Sequence, residues 1–488
     1  MKKQRIINMK ESDIRIRFAP APTGAMHLGN IRTALFNYLF SKQKNGTFVL
    51  RIEDTDPERN FDPDGIQILS DLNWLSISYD EGPIKGGPCA PYFQSKRTNL
   101  YKERLQELID KGYLYRCFCS KEELEKRRTR QLALKKPPRY DRTCFNLSQE
   151  EIDEKLKNKA PFIWRLKLDY DATIEINDLA HGNIKANLEN FSDFPLSRQN
   201  GTFTFMFTNC IDDIQMKMTH VIRGEDHLTN TVGQAYLYKV LDAPLPTFWH
   251  MPILCNVDGK KLSKRDFGFS LNDLKNAGFL PEAILNYLGI IGSSFDQEIL
   301  SLEELIKIYP FDHIRSANQA KYDVDKLKWV NHKWIAQYNP KELLKHLKPF
   351  LEKDLPQALL IAENKLIDLI QLFQQDVSTL EEFASKMEFY FIEPKISKQE
   401  ILQLFEQEQI EKIKGIILSN IQSLGDPQTF LDSIKKEAKE KNIKLGSLLQ
   451  LIRIGLIGKP KGPGMLDLFN ILEIEKCRNR LQKLCSEL

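Results

Sequence analysis

The chain has 488 residues, 42% of them hydrophobic, and a formal net charge of +4. That length suits two to four domains, and that apolar share excludes wholesale disorder. The charge excess lies in residues 426–488, which hold 12 Lys and Arg against 8 Asp and Glu; this is compatible with a nucleic-acid partner without indicating one. No run of the roughly 18–20 apolar residues needed to cross a bilayer occurs, so no membrane span is expected.

Residues 1–13 are polar and charged, without a signal-peptide core, and are expected to be a flexible N-terminus. Ile14, Ile16 and Phe18 then alternate with Arg15 and Arg17, a period-2 strand that Pro20, Pro22 and Gly24 end. From Ile31 a helical pattern begins, with Ile31, Leu35, Tyr38 and Leu39 on one face. His27-Leu28-Gly29-Asn30 therefore opens a helix after a strand, where free N–H groups and the positive dipole end suit a phosphate. A histidine there could donate to phosphate oxygens or simply cap the helix, and Gly29 would let a planar base approach the backbone.

Thr47 to Glu53 reads as a second, doubly buried strand, which completes a βαβ unit with Glu53 at the strand's ligand-facing end. Asp54 and Asp56 suit an Asx-type turn with a helix cap. Ser95 to Lys111 is helical, Tyr113 to Phe118 is a strand, and Ser120 to Glu123 is a capping box. The nucleotide fold resumes near Phe205, with a strand at Thr219–Arg223, a helix through Val240 and a strand from Met251 to Cys255. Val257 to Arg265 is an Asp-Gly turn followed by a cationic loop, and Pro281 starts a helix reaching Ile291. Helical periodicity fills the chain from Asp325 onward, with stops expected at Pro340, Pro394 and Pro427. Trp329 and Trp334 are expected to be core residues.

His27-Leu28-Gly29-Asn30 and Lys261-Leu262-Ser263-Lys264-Arg265, in that order, resemble the two signatures of class I aminoacyl-tRNA synthetases. Arg51 to Asp56 and Val221 to His227 resemble internal motifs of the glutamyl-tRNA synthetases. Gly458-Lys459-Pro460 with Gly462-Pro463-Gly464 resembles the bacterial type's C-terminal region. The resemblance implies an α/β Rossmann-type doubly wound parallel sheet with an α+β insertion, followed by an all-helical C-terminal region. Residues 14–94 and 205–272 would form the catalytic domain, 95–204 an insertion for the tRNA acceptor end, 273–320 a stem-contact region and 321–488 the anticodon-binding domain.

The implied reaction is ATP-dependent, uses Mg2+, and ligates L-glutamate to tRNA(Glu) through glutamyl-adenylate. His27, Lys261 and Lys264 would be catalytic, and His27, Gly29, Asp226 and Lys264 would bind ATP. Arg17, Glu53, Phe205, Asn209 and Arg223 would bind the amino acid, Arg17 and Arg223 through its carboxylates. The family usually has tyrosine at the position of Phe205, and the general class I signature ends in histidine where Asn30 stands. His27-x-Gly29 apart, Cys117-x-Cys119 in a reducing compartment suits zinc. Tyr140 and Cys144 would complete the set, since Asn146 stands where many relatives have a histidine ligand. A cytoplasmic monomer is expected. The alternatives are an enzyme that also charges tRNA(Gln) and a catalytically silent tRNA-binding protein.

Overall fold

The computed structural model describes residues 14–488 except 57, 59, 264 and 315–319. The expectations for residues 1–13 and for Lys264 lie outside the described residues. The chain divides into two compact units.

The first unit is built on parallel strands. β1 (Arg15–Phe18) pairs in parallel with β2 (Thr47–Leu50), Arg17 opposite Val49. The helix Leu28–Gln43 joins them and buries Leu28, Ile31, Leu35 and Leu39. Two antiparallel strands follow, β3 (Leu114–Cys117) and β4 (Ile163–Leu166), then the hairpin of β5 (Thr173–Asp178) and β6 (Gly182–Asn187). β7 (His220–Gly224) and β8 (Thr247–Met251) are parallel, and β8 also meets β5 at Asp178 and Phe248. The Thr219 amide donates to the Arg15 carbonyl at 2.9 Å, which links β1 to the β7 edge. The β5–β6 hairpin thus lies in one sheet with β8 and β7.

Several local expectations change. β1 is buried on both faces: Ile16 and Phe18 pack inside, and Arg17, on the opposite side, is only 3% exposed. Alternation marks two faces here, neither of them open to water. The strand placed at Met251–Cys255 runs instead over Thr247–Met251, because Pro252 has no N–H to continue a ladder; Leu254–Cys255 is a separate short strand. Asp54 does not cap a local helix. It accepts from the amide and hydroxyl of Ser95, at 2.8 and 2.6 Å, and so ties the segment after β2 to the turn that leads into the helix Thr98–Asp110.

The second unit is helical among its described residues and comprises Leu274–Ala283 with Asp325–Leu488. Pro340 and Pro427 begin helices rather than stop them: each stands in the first turn behind a capping side chain, Asn339 or Asp426. Proline's missing N–H would have had no intrahelical acceptor there. Asn331, fully buried, accepts from the Leu280 amide at 2.8 Å and donates to the Ser378 carbonyl at 2.6 Å. Trp329 does not enter the core. It is 37% exposed, with Lys326 Nζ 4.0 Å above its ring.

Candidate active site

The C-terminal ends of β1, β2 and β7 open on a cavity of about 530 Å³, the side on which open α/β sheets hold ligands. Arg17, His27, Gly29, Glu53, Phe205, Asn209, Arg223, Asp226 and Lys261 all line it. Residues up to 244 positions apart in sequence therefore meet in one place.

His27 is both a cap and a cavity residue. Its Nδ1 accepts from the Asn30 amide at 3.3 Å, and the Asn30 side chain accepts from the His27 amide in return. A neutral ring accepting at Nδ1 carries its proton on Nε2. Burial first, and Lys261 second, hold the imidazole below its ordinary pKa, so the neutral form dominates near pH 7. Phe269 stacks on the ring, centroids 5.0 Å apart. The segment after the cationic loop is also sewn to this turn: the Leu28 amide donates to the Phe269 carbonyl, and the Leu271 amide to the Met26 carbonyl. Gly29 owes its small size partly to His27, since a Cβ there would sit 3.0 Å from the imidazole.

Beneath the cavity lies a buried charge network. Arg51, with no exposed surface, donates to Asp213 at 2.7 Å and to Glu53 Oε1 at 2.9 Å. Arg17 Nε donates to both oxygens of Asp213, at 3.1 and 3.2 Å. Burial alone would raise the Asp213 carboxyl; Arg17 and Arg51 override it and hold it below the usual carboxylate range. Asn209 donates to Glu53 Oε1 at 2.7 Å and accepts from Gln234 at 3.1 Å. At Glu53, burial outweighs these partners and lifts the carboxyl above its ordinary value.

Arg223 differs from Arg17. It is 6% exposed and, among the described residues, forms no ion pair. One terminal nitrogen donates to Thr231 at 2.6 Å and to Gln234 at 2.8 Å, while its buried Nε has no hydrogen-bond partner. Burial, with Arg17 next in effect, lowers its pKa to about 10. It remains a cation at neutral pH without an internal counter-charge.

At the mouth, Lys261 Nζ meets Asp226 at 2.9 Å. A Cβ on Gly224 would lie 2.6 Å from Asp226 Oδ1, so a larger residue there would push that carboxylate aside. The Phe205 ring stands 5.3 Å from that of His227, centroid to centroid.

A second cluster lies in the inserted segment, away from the cavity lining. The sulfurs of Cys117, Cys119 and Cys144, all buried, lie within 4.8 Å of one another. The Tyr140 hydroxyl is 3.3 Å from Cys117 Sγ and 3.8 Å from Cys119 Sγ. A hydrogen bond from the Cys144 thiol, helped by Tyr140 and Arg165, draws the Cys117 thiol below its ordinary pKa. Asn146 is exposed. Three thiols and a phenol converging in a buried space form a donor set suited to a tetrahedral soft cation.

Arg51, Asp213, Gln234 and Thr231 were not singled out as site residues by their sequence context. A usable signal existed for two of them. Arg51 interrupts the apolar run Phe48-Val49-Leu50, and Asp213 follows the apolar helix face of Phe207, Cys210 and Ile211. Charges inside such runs need partners.

Residues 13–329 match the family model for the catalytic domain of class I tRNA synthetases (E and Q), and residues 342–485 match an anticodon binding domain. A glutamate--tRNA ligase of Syntrophomonas wolfei is 35% identical, over 97% of this chain and 96% of that one. One from a Sulfurihydrogenibium species is 38% identical, over 96% and 98%. Among solved structures, a glutamate tRNA ligase from Elizabethkingia meningosepticum, in complex with its amino acid, superposes with a TM-score of 0.86. That match has 29% identity over 98% of this chain and 100% of that one. With such identity sustained from the first described strand to the last helix, the chain belongs to the glutamate--tRNA ligase family of class I tRNA synthetases.

Proposed function

We propose that the cavity performs both steps of glutamate activation and transfer. An oxygen of glutamate's α-carboxylate attacks the α-phosphorus of ATP, and pyrophosphate leaves. A ribose hydroxyl of the terminal adenosine of tRNA(Glu) then attacks the glutamyl carbonyl, and AMP leaves. Neither step needs a protein nucleophile, so positioning and charge stabilisation carry the rate. His27 Nε2–H and the Gly29 amide, in the first turn of the helix beginning at Leu28, hold phosphate oxygens on one side. Lys261 and Lys264 neutralise the triphosphate, supplied with Mg2+, from the other. Glu53 takes the substrate ammonium, Arg223 and Arg17 its carboxylates, and Asn209 orients Glu53. Asp226 and Gly29 border the nucleotide, and Phe205 walls the amino acid without the hydroxyl of a tyrosine.

The observation that carries this reading is Arg223, a buried cation without an ion-pair partner among the described residues, lining the same cavity as the Glu53 carboxyl group. A zwitterion with an anionic side chain complements that pair. Cys117, Cys119, Tyr140 and Cys144 would hold one zinc, which would brace the inserted segment and take no part in the chemistry. Residues 95–204 would receive the acceptor end, 273–320 the stem and 321–488 the anticodon, in a cytoplasmic monomer. Among the described residues no helix is long and apolar enough to cross a membrane.

Charging assays with separate tRNA(Glu) and tRNA(Gln) transcripts test the reading. Glutamylation of the first alone is expected, together with pyrophosphate exchange that appears only when tRNA(Glu) is added. Absence of glutamylation, or full exchange without tRNA, would contradict it.

A further inference from the structure

Arg223 is held by a chain of buried polar groups that leads away from the cavity. Its terminal nitrogen donates to Thr231 Oγ1 at 2.6 Å. That oxygen lies 2.7 Å from Nε2 of His250, and His250 Nδ1 lies 2.7 Å from Asp178 Oδ2. Thr231 and His250 have no exposed surface, and Asp178 is 1% exposed. Asp178 also receives the amides of Ala180 and His181 and the His181 ring on its other oxygen, and the His250 amide on the same one.

The direction of each bond follows from the carboxylate at the far end. An ionised Asp178 can only accept, so His250 presents Nδ1–H to it. Burial keeps the imidazole below its ordinary pKa, against the pull of Asp178, so Nε2 carries a lone pair. Thr231 has two acceptors for its single hydroxyl proton, His250 Nε2 at 2.7 Å and the His227 carbonyl at 3.0 Å, of which Nε2 is the nearer. Its oxygen is left with lone pairs for Arg223, and a guanidinium can only donate. Whichever acceptor takes the hydroxyl proton, the bond from the Arg223 guanidinium to Thr231 Oγ1 keeps its direction.

We infer that Thr231, His250 and Asp178 are positioning residues for the amino-acid pocket, a relay that aims the Arg223 guanidinium at the side-chain carboxylate of glutamate. Thr231 lies on the helix Leu228–Val240, His250 on β8 and Asp178 on β5. The inserted hairpin thereby helps fix the group that reads the substrate. This rests on the reading that Arg223 meets that carboxylate.

The test compares wild type, Thr231→Val, Thr231→Ser and Arg223→Gln as full chains charging tRNA(Glu) transcript. Valine keeps the shape and removes the hydroxyl. It should raise KM for glutamate about 10- to 100-fold, the scale for a hydrogen bond to a charged group. KM for ATP should stay within about twofold, and the glutamate-to-glutamine ratio of kcat/KM should fall. Serine should restore most of the loss. If the valine variant does not fold, Thr231→Ala makes the same deletion with less crowding. A Thr231 deletion that leaves glutamate KM and the ratio unchanged, while Arg223→Gln lowers the ratio, overturns the relay alone. A ratio unchanged in Arg223→Gln overturns the reading beneath it. A loss shared equally by glutamate, glutamine and ATP would assign Thr231 a purely structural part and also overturn the relay.

Discussion

Arg51 carries the cavity floor, although it faces no ligand. Glu53 and Asp213 both lean on it, and Asp212 lies 3.7 Å from its Nε. Three carboxylates in a dry interior would repel one another without that guanidinium. Arg51→Met, which keeps most of the volume, should therefore lower the unfolding free energy by about 3–5 kcal/mol, as removal of one partner from a buried pair does. Urea unfolding followed by circular dichroism measures it; a loss under about 1 kcal/mol would show the network to be dispensable. This part of the site was hardly legible in the sequence. Arg51 and Asp213 are 162 positions apart, and nothing local to either says which partner burial will supply. Arg223 was legible because it sits in the short motif Val221 to His227, where a strand end and the following Gly224 mark a ligand-facing turn.

At the scale of elements, the helix Leu28–Gln43 does two things with its first turn. His27 closes a capping box with Asn30 and also lines the cavity. The sequence left capping and phosphate binding as alternatives; the cap uses Nδ1 alone, which leaves Nε2 for the phosphate role proposed above. They separate by mutation. His27→Ala should cost about 0.5–2 kcal/mol of stability through the lost cap and also slow adenylation by about 10²–10³-fold through the lost donor. His27→Asn keeps a good cap and should lose the rate without the stability. Thermal melts beside pyrophosphate exchange measure both, and equal stability losses in the two variants would refute the division. The strand boundary at Thr247–Met251 was misread because the apolar run continues past Pro252, and only the ladder reveals where pairing stops. In the inserted segment, Cys117→Ser should abolish bound zinc, expected at about one per chain, and lower the melting temperature of freshly purified protein. Metal analysis finding none in wild type, with chelators without effect on melting, would exclude the site.

At the scale of the molecule, the chain carries two different matches, a catalytic domain over residues 13–329 and an anticodon binding domain over 342–485. The switch from strand-rich to helical patterning near residue 321 was visible in sequence because helix periodicity persists for over a hundred residues without strand alternation. The surface position of Trp329 was not, since an amphipathic helix can turn an aromatic ring to either side of its apolar stripe. Net charge said little: +4 over 488 residues does not foretell a nucleic-acid partner, and recognition rests on where the cations stand. The cavity is proposed to select glutamate by charge, because glutamate and glutamine have nearly the same shape. Glutamine would leave the desolvated Arg223 facing an amide, and sites that strand a buried polar partner discriminate by roughly 10⁴–10⁵. The most direct test is kcat/KM for both amino acids on tRNA(Glu), in wild type and in Arg223→Gln. A wild-type preference of that order which collapses in the variant, mainly through lost glutamate use, is the expected result; a ratio that the substitution leaves unchanged would contradict it.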